Sequence, residues 1–297
     1  MASVLITGTS SGIGMATAIA FGRANHRVFA TMRDPSRGSA LRRVIEEEKL
    51  PVVILALDVD SDSSVAEAID LIARQAGPID VLVNNAGIAP TGSVEETPLS
   101  VFRSAMETNY FGVVRCVQAV LPAMRERRSG CIINISSIAG RVAAAPMTPY
   151  AATKFALEGF SDGLAQEVKP FNIRVAVVQP GIIDTPAARV IADTESPSPY
   201  PQQRRVSALF TGSLQSPRPA TLVADKVLEI ADSGTWQLRH PVGPDAAPFL
   251  EYRKSMSDED WVEWGALDDD AWYERVKADF GLDARPWSRA AGTPVHS

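Results

Sequence analysis

Two residues of this 297-residue chain are spaced for proton transfer, Tyr150 and Lys154. Four positions apart on a helix, they lie on one face and can share a site. A free phenol titrates near ~10, too high for a useful base at neutral pH. An adjacent ammonium favours the phenolate by direct attraction, so the pair is expected to act as an acid/base group with a lowered tyrosine pKa. A second stretch is built for a different task, Thr7-Gly8-Thr9-Ser10-Ser11-Gly12-Ile13-Gly14. Glycines let such a turn tighten and approach a pyrophosphate, whose charge is favoured by free amides and by the helix dipole. Taken singly, a Tyr-x-x-x-Lys spacing reads equally as a helix surface pair and a glycine triplet as a plain tight turn. Together they become specific, because the turn lies between an apolar run and a helical pattern.

The elements that must position these residues follow from the hydrophobic rhythm. Short Val, Ile and Leu-rich runs at 3–7, 27–32, 51–56, 81–84, 131–136 and 174–179 read as strands covered on both faces. Helical patterns at 13–24, 39–49, 62–76, 99–127 and 150–169 separate them, each long enough for a right-handed crossover. The simplest architecture is α/β, a Rossmann-like doubly wound parallel sheet with helices on both sides. Prolines and serines at 196–201 and 216–219 interrupt the rhythm, and residues 186–219 are expected to form an irregular lid. A helix at 219–232 and a strand at 236–239 resume the pattern. Residues 1–240 thus read as one unit and 241–297 as a helical extension, with helix starts at Ser257 and Asp268 and a loose tail from Asp283.

Composition narrows the class of function. A formal net charge of -6 argues against an extended nucleic-acid footprint, which needs clustered Lys and Arg. Cys116 and Cys131 sit in apolar stretches and are expected in the core, while His26, His240 and His296 lack metal-ligand spacing, so no metal site is expected. No basic leader or long apolar run is present, which leads to the expectation of a reducing, cytoplasmic location with no membrane span.

The motifs occur in an order that resembles the short-chain dehydrogenase/reductase family. After the glycine turn come Asn84-Asn85-Ala86-Gly87, Asn109, Ser136-Ser137, Tyr150-Ala151-Ala152-Thr153-Lys154 and Pro180-Gly181. The resemblance covers residues 3 to about 240, and residues 241–297 carry none of these motifs. It implies an enzyme in which Tyr150 exchanges a proton with a substrate oxygen while hydride moves to or from a nicotinamide. It further implies that Lys154 bonds the nicotinamide ribose, Ser137 holds the substrate oxygen and Asn109 supports a water linking the lysine to solvent. Cofactor contacts are expected from Gly8, Ser10, Ser11, Gly12, Ile13, Gly14, Asp58 with the Val59 amide, Asn85, Ala86, Gly87, Pro180, Gly181, Ile183 and Thr185. The long helices at 99–127 and 150–169 resemble those that build the family's homodimers and homotetramers.

The second strand bears on which nicotinamide is used. A site for NAD usually ends this strand with an acidic residue that holds the ribose hydroxyls. Here that position is Met32, followed by Arg33, whose guanidinium suits a 2′-phosphate, so NADP(H) is favoured over NAD(H). Ligands in open α/β sheets bind beyond the carboxyl ends of the strands, so 88–92, 140–149 and 182 onward should line the substrate pocket. Ala143, Ala144, Ala145, Pro146, Met147, Ile182 and Ile183 make it apolar, and the stretch from Phe29 to Pro35 resembles the steroid and retinoid branch of the family. The small-molecule partner expected is a hydrophobic carbonyl compound or secondary alcohol. An NAD-linked alcohol dehydrogenase and a non-catalytic dinucleotide sensor are the alternatives. The Trp-rich segment at Trp261, Trp264 and Trp272 could cover the pocket, pack elsewhere on the subunit or bridge two subunits.

Overall fold

Alternate residues of a strand face opposite sides of a sheet, and in this chain both sides are apolar. The strands are β1 (Ser3–Thr7), β2 (Arg27–Met32), β3 (Val52–Ala56), β4 (Val81–Asn84), β5 (Gly130–Ile135), β6 (Ile173–Pro180) and β7 (Arg239–Val242). They form one seven-stranded sheet in the order β3-β2-β1-β4-β5-β6-β7, parallel throughout. Val4 and Ile6 of β1 pack with Val28, Ala30, Val83 and Ile133 on one face; Leu5 packs with Phe29, Leu82 and Ile132 on the other. The computed structural model describes residues 1–194 and 198–288.

The helices are α1 (Gly12–Arg23), α2 (Ser39–Glu48), α3 (Asp62–Ala76), α4 (Leu99–Met106), α5 (Gly112–Arg127), α6 (Thr148–Val168), α7 (Pro186–Ala192), α8 (Gln202–Ser213), α9 (Thr221–Ser233), α10 (Ala246–Lys254), α11 (Asp258–Ala266) and α12 (Asp269–Phe280). Phe21 of α1, Leu41 of α2 and Val223, Val227 and Ile230 of α9 close one side of the sheet. Ile72 of α3, Val117 and Met124 of α5, and Leu157 and Leu164 of α6 close the other. Cys116 and Cys131 are both buried in these layers, where burial pushes their thiols up to about 12 and about 11. No described helix is long and apolar enough to cross a membrane.

Four sequence expectations change. The helix expected over 99–127 is broken by a π-helical turn at Glu107–Phe111, which widens the coil around the buried Asn109. The irregular lid expected over 186–219 contains α7 and α8, because the prolines flank these helices and Pro186 occupies the first turn of α7, where a missing N–H costs nothing. The final strand lies at 239–242 instead of 236–239. Ser257 and Asp268 do cap α11 and α12, accepting from the amides of Asp260 at 3.0 Å and Ala271 at 2.8 Å. The tail expected to be loose from Asp283 instead forms a 3₁₀ turn at Arg285–Trp287, with Trp287 against Gly212 of α8. Residues 289–297, with His296, and 195–197 lie outside the described residues.

Candidate active site

The turn after β1 is shaped by close backbone packing. Gly8 has φ +72, and a Cβ there would sit 2.6 Å from the Ala86 Cα; one at Gly14 would meet the Gly8 carbonyl oxygen at 2.3 Å. A side chain at either position would drive the turn apart. Asn85 locks the turn from the next loop, its Nδ2 donating to the carbonyls of Thr7 and Gly8 at 2.9 Å each. Thr7 Oγ1 in return accepts from the amides of Asn85 and Ala86 at 3.0 Å each. Ser11 begins α1 in an extended conformation and makes no side-chain cap, which leaves the first-turn amides available to an anion. Ser10 is half-buried and Ser11 exposed beside them.

Tyr150 and Lys154 stand on the first turns of α6 and face the carboxyl end of β5. Lys154, 5% exposed, donates from Nζ to the Ile135 carbonyl at 2.8 Å, and this nitrogen lies 5.6 Å from the centre of the Tyr150 ring. Ser137 follows β5, its Oγ accepting from the Ala139 amide at 3.1 Å, which leaves its hydrogen free to point at the phenol. Burial pushes the phenol up to about 12, with Ser137 pulling the other way, and pushes Lys154 down to about 8, with Glu158 opposing. The direction is opposite to the lowering expected from the lysine, because desolvation is the largest influence on the phenol. The lysine is itself buried and engaged with a carbonyl.

Asn109 does not line the cavity but sits behind it. Its Oδ1 accepts from the Ile88 amide and its Nδ2 donates to the Ile88 carbonyl, both at 2.8 Å, with a third bond to Thr153 Oγ1 at 2.9 Å. The loop that carries Ala86, Gly87 and Ile88 is thus clamped to the π turn.

A cavity of about 600 Å³ joins these groups. Ile13, Asn85, Gly87, Pro180, Gly181 and Thr185 line it, together with Ser137, Tyr150 and Lys154. Thr185 also caps α7 by accepting from the Ala188 amide at 3.2 Å. Arg33, Asp58 and Val59 lie away from this cavity, beyond the ends of β2 and β3. Arg33 is exposed, whereas Asp34 turns back to accept from the Ser36 amide at 2.9 Å and hydroxyl at 2.7 Å. Asp58 is half-buried, its amide donating to Ser64 Oγ at 2.9 Å. An uncapped helix start, a glycine turn without side chains and this row of loops fit a dinucleotide lying across the carboxyl ends of the strands.

The substrate side is walled by Ile88, Ala89, Ala143, Ala144, Ala145, Met147, Ile182 and Ile183, as the apolar loops imply, though Pro146 is not among the lining residues. Sequence reasoning missed the far wall, formed by Arg205, Leu209 and Phe210 of α8 and by Phe249. Its signal was present, since Gln202, Arg205, Leu209 and Phe210 recur at helical spacing in a stretch without proline. Trp261, Trp264 and Trp272 complete that wall, which decides among the three placements left open for this segment. The Trp261 indole N–H donates to the Ala143 carbonyl at 2.8 Å, and its ring stacks on Trp264 at 5.0 Å between centres.

With this geometry in view, the chain was compared with known proteins. The family model for short chain dehydrogenase matches residues 2–196. Retinol dehydrogenase 8 of Bos taurus is 40% identical over 203 residues, 67% of this chain and 64% of the relative, so the chain spans less than two thirds of that relative's length. A short-chain dehydrogenase from Streptomyces avermitilis superposes with a TM-score of 0.77 at 32% identity, covering 89% of this chain and 96% of that one. The structure of ElxO with NADP bound superposes with a TM-score of 0.70 at 27% identity, covering 82% and 97%. The parallel sheet, the glycine turn, the Tyr150–Lys154 helix and the match over 2–196 together make this chain a member of the short-chain dehydrogenase/reductase family.

Proposed function

We propose that this chain is an NADP(H)-dependent oxidoreductase that interconverts a hydrophobic carbonyl compound and its secondary alcohol. One observation carries the reading: Ser137, Tyr150 and Lys154 line one cavity with Ile13 from the glycine turn, residues of the loops after β4 and β6, and a set of apolar side chains. The bound nicotinamide supplies or accepts the hydride. Ser137 donates its hydroxyl hydrogen toward the substrate oxygen and orients it. The Tyr150 phenol, kept protonated by burial, gives its proton to that oxygen as the carbonyl is reduced and takes it back in oxidation. Lys154 bonds the nicotinamide ribose and holds positive charge beside the phenol when the proton leaves. Asn109 holds the loop after β4 in place and supports the water that returns the proton from solvent. The turn from Gly8 to Gly14 holds the pyrophosphate, Asp58 with the Val59 amide reads the adenine, and Ala86 and Gly87 flank its ribose.

Arg33 supports NADP(H), being exposed at the end of β2 where the adenine ribose falls, next to an Asp34 already engaged by Ser36. The NADP in the ElxO structure supports the same choice. The retinol dehydrogenase likeness and the apolar wall support a hydrophobic substrate. A cytoplasmic homodimer or homotetramer, with residues 241–297 as an extension of the 1–240 unit, completes the proposal.

Tyr150→Phe tests the chemistry. Turnover of hydrophobic ketones with NADPH should fall by about 10²–10⁴-fold, with NADPH fluorescence still reporting binding. Unchanged turnover would contradict the assignment. Arg33→Ala should weaken NADPH by about tenfold or more and leave NADH nearly as before, and an unchanged NADPH constant in the titration would remove the case for the phosphate.

A further inference from the structure

Two side chains of the far wall each carry one donor without a partner among the described residues. Arg205 is 2% exposed and lines the cavity from α8. Its Nε donates to Asp269 Oδ1 at 2.7 Å and its Nη2 to the Leu267 carbonyl at 2.7 Å, while Nη1 is buried without a partner among the described residues. Trp264, 8% exposed, also lines the cavity, and its indole Nε1 is likewise buried without a partner. Trp272 stands between them, its ring 6.0 Å from that of Trp264 and 5.8 Å from the Arg205 guanidinium carbon.

Buried donors of this kind are costly when unmade, and the cost is greatest for a charged group. The charge is also incompletely balanced, because Asp269 serves two guanidiniums, with Arg204 Nε donating to its Oδ2 at 3.0 Å. Both orphan groups are donors, and of the lining around them Leu209, Phe210, Phe249 and Trp272 carry no acceptor side chain, Gln202 at the start of α8 being the one amide nearby. Both are shielded from bulk water, so engaging them requires a side-chain rotation toward the cavity, after which an acceptor meets them without solvent competition.

Building on the proposed carbonyl chemistry, we infer that the substrate is amphipathic: an apolar body whose reacting carbonyl meets Tyr150 and whose distal end carries an anionic oxygen group, a carboxylate, received by Arg205 and Trp264. A purely hydrocarbon tail would leave both donors unpaired in a dry wall, whereas a carboxylate satisfies them and completes the neutralisation of Arg205.

The test uses two ten-carbon methyl ketones that differ only at the far end, one closing in a carboxylate and one in a methyl group. Binding to the NADPH-loaded enzyme is read from the quenching of tryptophan emission, and turnover is followed separately. The wild type should bind the keto acid about tenfold or more tighter than the plain ketone. Trp264→Phe keeps an aromatic ring but removes the N–H, and should weaken the keto acid several-fold more than the plain ketone. Arg205→Met should abolish the preference; if that variant fails to fold, Trp264→Phe and the wild-type comparison decide. Equal binding of the two ketones by the wild type, or equal weakening of both in Trp264→Phe, would overturn the inference. Selective binding without turnover would instead count against the catalytic proposal alone.

Discussion

At the scale of single residues, burial moves the tyrosine and the lysine in opposite directions from their ordinary values, and the consequence is measurable. Lys154 titrates at about 8 in the fold against an ordinary 10.5, because burial penalises its charge. Between these values the unfolded chain holds the proton that the folded chain has released, so stability rises with pH across this window, by up to about 1.4 kcal/mol per pH unit. Tyr150 acts in the opposite sense and at higher pH. The fold keeps its proton to about 12 while the unfolded chain loses it near 10.0, so its contribution falls as pH rises between them. Urea unfolding of the wild type and Lys154→Met from pH 8 to 10 should show the wild type gaining on the variant as pH rises. A constant difference would mean that the ammonium is not desolvated as the structure has it. The sequence spacing correctly placed the two side chains on one face. It could not indicate that burial would be the largest influence on each, since desolvation depends on what packs around α6.

At the scale of elements, the π turn at Glu107–Phe111 is the feature on which the loop after β4 depends. An extra residue in the turn brings Asn109 against both the amide and the carbonyl of Ile88, a match that replaces two strand-like bonds for a backbone leaving the sheet. Asn109→Ala would remove both part-buried bonds to the Ile88 backbone and should cost about 1–2 kcal/mol in denaturant unfolding. Amide exchange at Ile88 should accelerate in the same variant, and an unaltered rate would show that the clamp is not what orders this loop. The helical periodicity of 99–127 was legible, but the widened turn was not, because i to i+5 bonding is chosen by the groups Asn109 meets across the fold. The expected lid failed for another reason. Prolines at its borders were read as breaking the interior, whereas the proline-free run from Gln202 to Ser213 was long enough to make α8.

At the scale of the whole molecule, one buried carboxylate ties the catalytic helix to distant parts of the chain. Glu158, one turn beyond Lys154 and 2% exposed, accepts from Gln179 Nε2 of β6 at 3.0 Å and from Arg239 Nε of β7 at 2.9 Å. Arg141, in the loop that lines the cavity, reaches the same carboxylate at 3.3 Å, and both arginines also pair with Asp162. Glu158→Ala would leave the buried Gln179 amide unpaired and the two guanidiniums with Asp162 alone, and should destabilise the protein by about 1–3 kcal/mol, read from urea melts. An effect below about 1 kcal/mol would place the pairing energy in Asp162 instead. A greater distance in sequence, 118 residues, is bridged where Trp261 meets the carbonyl of Ala143.

Local periodicity and turn chemistry were enough to specify the parallel α/β sheet, the glycine turn and the Tyr150–Lys154 face, because each is written in residues within a few positions of one another. The roles of Arg205, Glu158 and the tryptophans were decided only by tertiary structure. Their partners lie between about twenty and more than a hundred residues away, and nothing in a residue's own neighbourhood records what the packed chain will bring against it.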